Sequence, residues 1–165
     1  MRLFLLALGL MLIGVWLIIV FNYYFQLGGL KINWLLMFML VLTFRHSKLL
    51  LPFVGILAGL ICDALSHGIM GIYGISFFIT LLLVSQLNKL FYVNTLFTVS
   101  MGVFSMSIFE GWLSLSILDM LEPGINQSSL MLTSILPLAV LQGFMTPIIL
   151  KMVIGGENLF LREAA

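Results

Sequence analysis

Residues 3–25 read LFLLALGLMLIGVWLIIVFNYYF, 23 consecutive positions without an acidic or basic side chain. A helix crosses about 30 Å of hydrocarbon in about 20 residues, so this run is long enough to span a bilayer. A secretory signal has an apolar centre of roughly 7–15 residues followed by a small-residue cleavage site. Here the run ends in Phe21, Tyr23, Tyr24 and Phe25, the aromatic belt expected where a helix meets the membrane interface. The segment is expected to stay on the protein as an anchor and first span.

The other segments follow the same pattern. Of 165 residues, 62% are hydrophobic and 8% charged, where a soluble domain carries about 25% charged. The mean hydropathy is +1.25. So few charges cannot cover a soluble fold of this size, and the expected solvent is lipid. The fold class is all-α, a polytopic transmembrane bundle of about six spans forming one domain over 1–165. The spans are expected at 3–25, 28–44, 49–65, 69–87, 93–118 and 130–150. Gly28 and Gly29, the Arg45–Lys48 break, the Ser66–Gly68 turn, Asn88 with Lys89, and the Asp119–Gln127 loop separate them. The second is the shortest, with Lys31 expected to snorkel and Trp34 to lie near the headgroups. Lys151 is expected to stop the last span, with a short mixed-charge tail from Gly155.

The Lys and Arg distribution sets the orientation. With six spans and both termini inside, Arg2, Arg45, Lys48, Lys89, Lys151 and Arg162 fall inside and Lys31 alone outside. If 28–44 does not cross and the N-terminus lies outside, Arg2 becomes the lone outer charge, and the rule does not separate the two arrangements. Both place the Ser66–Gly68 turn and the Asp119–Gln127 loop outside.

Small residues mark close helix approach in lipid, where no hydrophobic force draws helices together. Gly55, Gly59, Cys62 and Ser66 fall within about 60° of arc on the third segment, and Ser100, Ser107, Gly111 and Ser114 do so on the fifth. Each stripe suits either packing within the chain or the seat of a partner's transmembrane helix. Two acids lie inside apolar segments, where a charge costs roughly 2.5–3.5 kcal/mol at the centre and less toward an end. Asp63 is expected to accept amide hydrogens near Gly68–Gly71 at the start of the fourth segment. Glu110 borders the small-residue stripe and is expected to face the bundle, as a structural hydrogen-bonded acid or as a contact for a partner or ligand.

The chain lacks the HExxH of zinc proteases and the GxSxG of hydrolases. Its two Asp residues, Asp63 and Asp119, do not pair within the membrane, and His46 and His67 fall at opposite faces. Cys62 is the single cysteine, which excludes an intrachain disulfide and a multi-cysteine metal site. A net charge of +1 without a basic run gives nucleic acid nothing to bind. No catalytic residue, metal or cofactor is expected. Two function classes stay open, a scaffold that holds other helices and a small-molecule-binding subunit of a transporter. The few mid-membrane polar residues, Thr80, Glu110 and Gln142, bear on the second.

The stretch from Gly55 to Gly74, GILAGLICDALSHGIMGIYG, resembles the MreD family of bacterial rod shape-determining membrane proteins. Gly59, Leu60, Asp63, Gly71 and Tyr73 match that family's pattern, while Ile69 and Met70 stand where Pro and Leu are usual. The resemblance implies a non-catalytic multi-pass subunit of the cytoplasmic membrane. It would bind MreC, a single-span protein, and through it serve a penicillin-binding transpeptidase and RodA, in association with MreB. MreD is also similar in fold to the substrate-binding subunits of energy-coupling-factor transporters, which is the alternative function. No family catalytic residue carries over.

Both arrangements predict one labelling pattern. With Cys62 replaced, a membrane-impermeant thiol reagent added outside the cell should modify His67→Cys and Gly124→Cys but not Lys89→Cys. Modification at position 89 would overturn the orientation.

Overall fold

The computed structural model describes residues 2–24, 32–46, 48–66, 69–90, 95–123 and 127–162. They are almost entirely helical: α1 (Arg2–Tyr24), α2 (Trp34–His46), α3 (Leu50–Ser66), α4 (Ile72–Leu90), α5 (Leu96–Leu121), α6 (Gln127–Leu130), a π-helical turn (Met131–Ile135) and α7 (Leu136–Arg162). Three helices are long and apolar enough to cross a membrane, over Phe4–Phe21, Leu96–Leu121 and Met131–Asn158. Helices α2, α3 and α4 are shorter apolar rods.

Helix α2 is the centre. Every side chain from Trp34 to Phe44 is buried, because α1, α3, α4, α5 and α7 all pack on it. An all-round apolar helix has no polar face to turn toward water, and here no face is left over. Each surrounding helix contributes an inward stripe: Leu6, Ala7 and Leu10 from α1; Leu51, Val54 and Ala58 from α3; Phe77, Leu81 and Val84 from α4; Val99 and Val103 from α5; Ile149 and Val153 from α7. The opposite faces are equally apolar. Leu12, Trp16, Phe53, Ile75, Phe97, Trp112, Phe144 and Ile148 all point outward, which suits lipid and not water.

Enclosure raises a problem at the ends of α2. A helix leaves four amides and four carbonyls without intrahelical partners, and a buried end cannot turn to water. At the start, Asn33 Oδ1 accepts the Leu36 amide at 3.2 Å. At the finish, Asn88 Nδ2 of α4 donates to the Thr43 and Phe44 carbonyls at 3.3 and 2.5 Å. Just beyond, Arg45 Nε and Nη2 grip Glu157 of α7 at 2.9 and 2.7 Å, and His46 Nε2 meets the same carboxylate at 2.8 Å. The residue just before the helix thus closes its start, and residues remote in the chain close its finish.

Two expectations are corrected. Helix α2 begins at Trp34, while 28–31, including Lys31, lie outside the described residues. Trp34, at its start, is buried edge-on to Phe21 at 5.1 Å between ring centroids. The last helix runs through Lys151 to Arg162, because lysine is a good helix former and its long side chain carries the charge outward without breaking the backbone. The tail expected from Gly155 is therefore helical as far as Arg162.

Asn88→Ala removes the donor that two buried carbonyls share. Unfolding in detergent, followed by circular dichroism, should show a loss of about 1–3 kcal/mol, and unchanged stability would remove Asn88 as the clamp on α2.

Candidate functional site

The quoted Gly55–Gly74 stretch folds as a hairpin of α3 and α4. Gly59 lies so close to α4 that a Cβ there would overlap the Tyr73 carbonyl and come 2.6 Å from Gly74 Cα. A Cβ on Gly55 would overlap Leu81. Only a residue without a side chain permits this approach. The expected groove at Gly55, Gly59, Cys62 and Ser66 is thus filled along its glycines by α4 of the same chain, and a partner helix has no access to Gly59. Cys62 is buried beside it, its thiol donating to Asn33 Oδ1 at 3.4 Å. Leu60 is on the outer face, and a Cβ on Gly74 would come within 3.4 Å of its side chain.

Asp63 closes the hairpin. It is 1% exposed. Its Oδ2 accepts the amides of Gly71 and Gly74 at 2.9 and 3.3 Å, and its Oδ1 accepts that of Tyr73 at 3.1 Å. These amides sit at the start of α4, where unpaired donors and the helix dipole favour an anion. Gly71 has φ +104°, a left-handed conformation that side chains disfavour; a Cβ would meet nothing within 4 Å, so conformation and not space requires glycine. His67 and Gly68 lie outside the described residues.

Glu110 is buried where α4 and α5 meet. Its Oε1 accepts from Ser114 Oγ at 2.8 Å and Ser76 Oγ at 3.2 Å, and the two serine oxygens lie 3.0 Å apart. Ser114 and Gly111 of the second stripe serve internal contacts as well, since a Cβ on Gly111 would come 2.7 Å from Ile135. The glycines Gly55, Gly59 and Gly111 of the two stripes are used for packing inside the chain.

Asp63 and Glu110 line one cavity of about 500 Å³. It lies at the end of the bundle where α3 and α5 finish and α2 and α4 begin. Asn33, Ser107, Ser134 and Gln142 join them on its wall, between Ile18, Ile72, Leu115 and Leu138. The π-helical turn supplies Ser134 and Ile135. Its register is visible in the Leu136 amide, which donates to Met131 five residues back, and Pro137, which has no N–H to give, follows at once. Such wide turns often occur at functional sites. Ser76 and Asn33 have no individual signal in the sequence; both are ordinary polar residues whose roles depend on segments 34 and 29 positions away in the chain.

No family model, curated protein or solved structure matches this chain.

Replacing Asp63 separates geometry from charge. Asp63→Asn keeps one accepting oxygen and should cost about 1 kcal/mol, whereas Asp63→Leu strands three buried amides and should cost on the order of 3 kcal/mol or more. Chemical unfolding in micelles measures both; equal losses would show that the hairpin does not rest on the carboxylate's acceptors.

Proposed function

We propose that the chain is a non-catalytic membrane scaffold subunit of the bacterial cell-wall elongation machinery, an MreD-like protein of six spans in the cytoplasmic membrane. It binds MreC and through it helps localise or regulate a penicillin-binding transpeptidase and RodA, alongside MreB. The observation that carries this reading is the hairpin. Gly59, Asp63, Gly71 and Tyr73, the residues of the family-like pattern, meet in one compact clamp whose chemistry is structural: amides on a carboxylate, and a backbone crossing at glycine. A pattern kept for shape is what a scaffold requires, because its work is to hold other helices in place.

In this reading α2 is one of six crossings, sheltered inside the bundle. At 1.5 Å per residue a 13-residue helix is about 20 Å long, short of the bilayer, and five neighbouring helices pack around it. With both glycine stripes used internally, MreC's single helix docks on an apolar outer face, where Phe97, Met101, Phe144 and Ile148 offer side-chain bulk on α5 and α7.

Co-expression with tagged MreC tests the reading. The chain should be retained on MreC in mild detergent, and its depletion should turn rod-shaped cells round. Recovery of an ATPase in place of MreC, with cell shape unchanged, would favour the transporter subunit instead.

A further inference from the structure

The cavity contains more hydrogen-bonding capacity than the protein uses. Gln142 is 1% exposed, and neither its Nε2 nor its Oε1 has a partner among the described residues. Ser107 is 5% exposed and its Oγ is likewise unpartnered. Both residues line the cavity. Buried polar groups without partners are rare in folded proteins, and each asks for an unseen occupant. Glu110 adds a third group, because both serine hydroxyls contact its Oε1, which leaves Oε2 for the cavity.

The three groups form a ladder. Gly111 abuts Ile135, and Gly143 abuts Phe104, so α5 and α7 run antiparallel with Gln142 near the level of Phe104. Ser107 lies about one turn closer to the mouth and Glu110 about two turns closer, roughly 9 Å from Gln142 at 1.5 Å per residue. An acyl chain would satisfy none of these groups. The charge is one-sided: Asp63 and Glu110 line the cavity, and no Lys, Arg or His does so among the described residues. Both oxygens of Asp63 already accept backbone amides, whereas only one oxygen of Glu110 is engaged, so Glu110 is the acid left for an occupant. Between the rungs the walls are apolar, from Ile18, Leu115, Ile135 and Leu138.

We propose that this cavity binds a compact organic cation with a hydrogen-bonding group at its far end, its ammonium on Glu110 and its distal polar group on Gln142, with Ser107 between. The body of the ligand packs against the aliphatic walls. The site does not depend on the scaffold reading and is tested without a partner. A free amine and an ethanolamine lipid headgroup share the ammonium; the spacing of the ladder favours the free molecule, which carries a second polar group where a lipid carries its tails.

Tyramine reproduces these features, with an ammonium, an aromatic body and a terminal hydroxyl. It should raise the unfolding midpoint of the purified full chain in detergent in a concentration-dependent way. Phenethylamine, without the hydroxyl, should bind more weakly, and 4-hydroxyphenylacetate, with an anion in place of the ammonium, should not bind. Glu110→Gln keeps an acceptor for the serines and should weaken tyramine about tenfold or more, as expected for loss of a charge-assisted bond. Gln142→Leu leaves an apolar residue of similar size, and should bring tyramine down to the affinity of phenethylamine while phenethylamine is unchanged. If Glu110→Gln does not fold, the Gln142→Leu comparison decides alone. No midpoint shift with tyramine, equal binding of the anionic analogue, or equal tyramine affinity in Gln142→Leu would each overturn the proposal. So would native mass spectrometry showing a retained phospholipid that tyramine does not displace.

Discussion

The structure depends on hiding a helix that cannot hide itself. Helix α2 is 13 residues long and apolar on every side, so it has no face for water and too little length to present clean ends to a bilayer. Surrounding it with five helices solves the first difficulty. Asn33, Asn88 and Glu157 solve the second: the two asparagines meet open backbone groups at the helix ends, and Glu157 pairs with Arg45 just beyond. In a low-dielectric setting an unmade hydrogen bond costs more than a made one contributes, so these contacts restrict how the outer helices can be arranged around the centre.

The same economy governs the two buried acids. Asp63 has three backbone donors and ties two helices that are neighbours in sequence. Glu110 has two hydroxyl donors and ties α4 to α5. One is engaged on both oxygens and the other on only one, and that difference separates a structural acid from one that faces a cavity. The asymmetry also explains why the two ends of the molecule differ. One end is closed by the Arg45, His46 and Glu157 cluster, while the other opens around Asp63 and Glu110.

The glycines show how one sequence feature takes its meaning from its surroundings. A stripe of small residues is equally suited to an intramolecular and an intermolecular crossing, because both need backbones close together. Gly59 takes the first role because the chain reverses within a few residues and lays α4 against it. With the glycine surfaces used internally, the faces left outward are bulky and apolar.

Composition and run length were enough to read helices and an apolar environment, since those follow from the chain's own hydropathy and from backbone groups that must be paired internally; the expected breaks at Arg45, Asn88 and Asp119 fall inside the ends of α2, α4 and α5. The local contact of Asp63 with Gly71 was also legible, because the two lie eight residues apart across one turn. Tertiary structure alone decided that the second segment is the centre and not a peripheral span, because an apolar helix looks the same in sequence whether lipid or protein surrounds it. It alone decided that Lys151 lies inside a helix, that Asn88 reaches Phe44, and that Glu157 reaches Arg45. It also brought Ser107, Glu110 and Gln142 to one cavity. Those pairings join residues on different helices, and no periodicity within a single helix specifies which of its neighbours it will face.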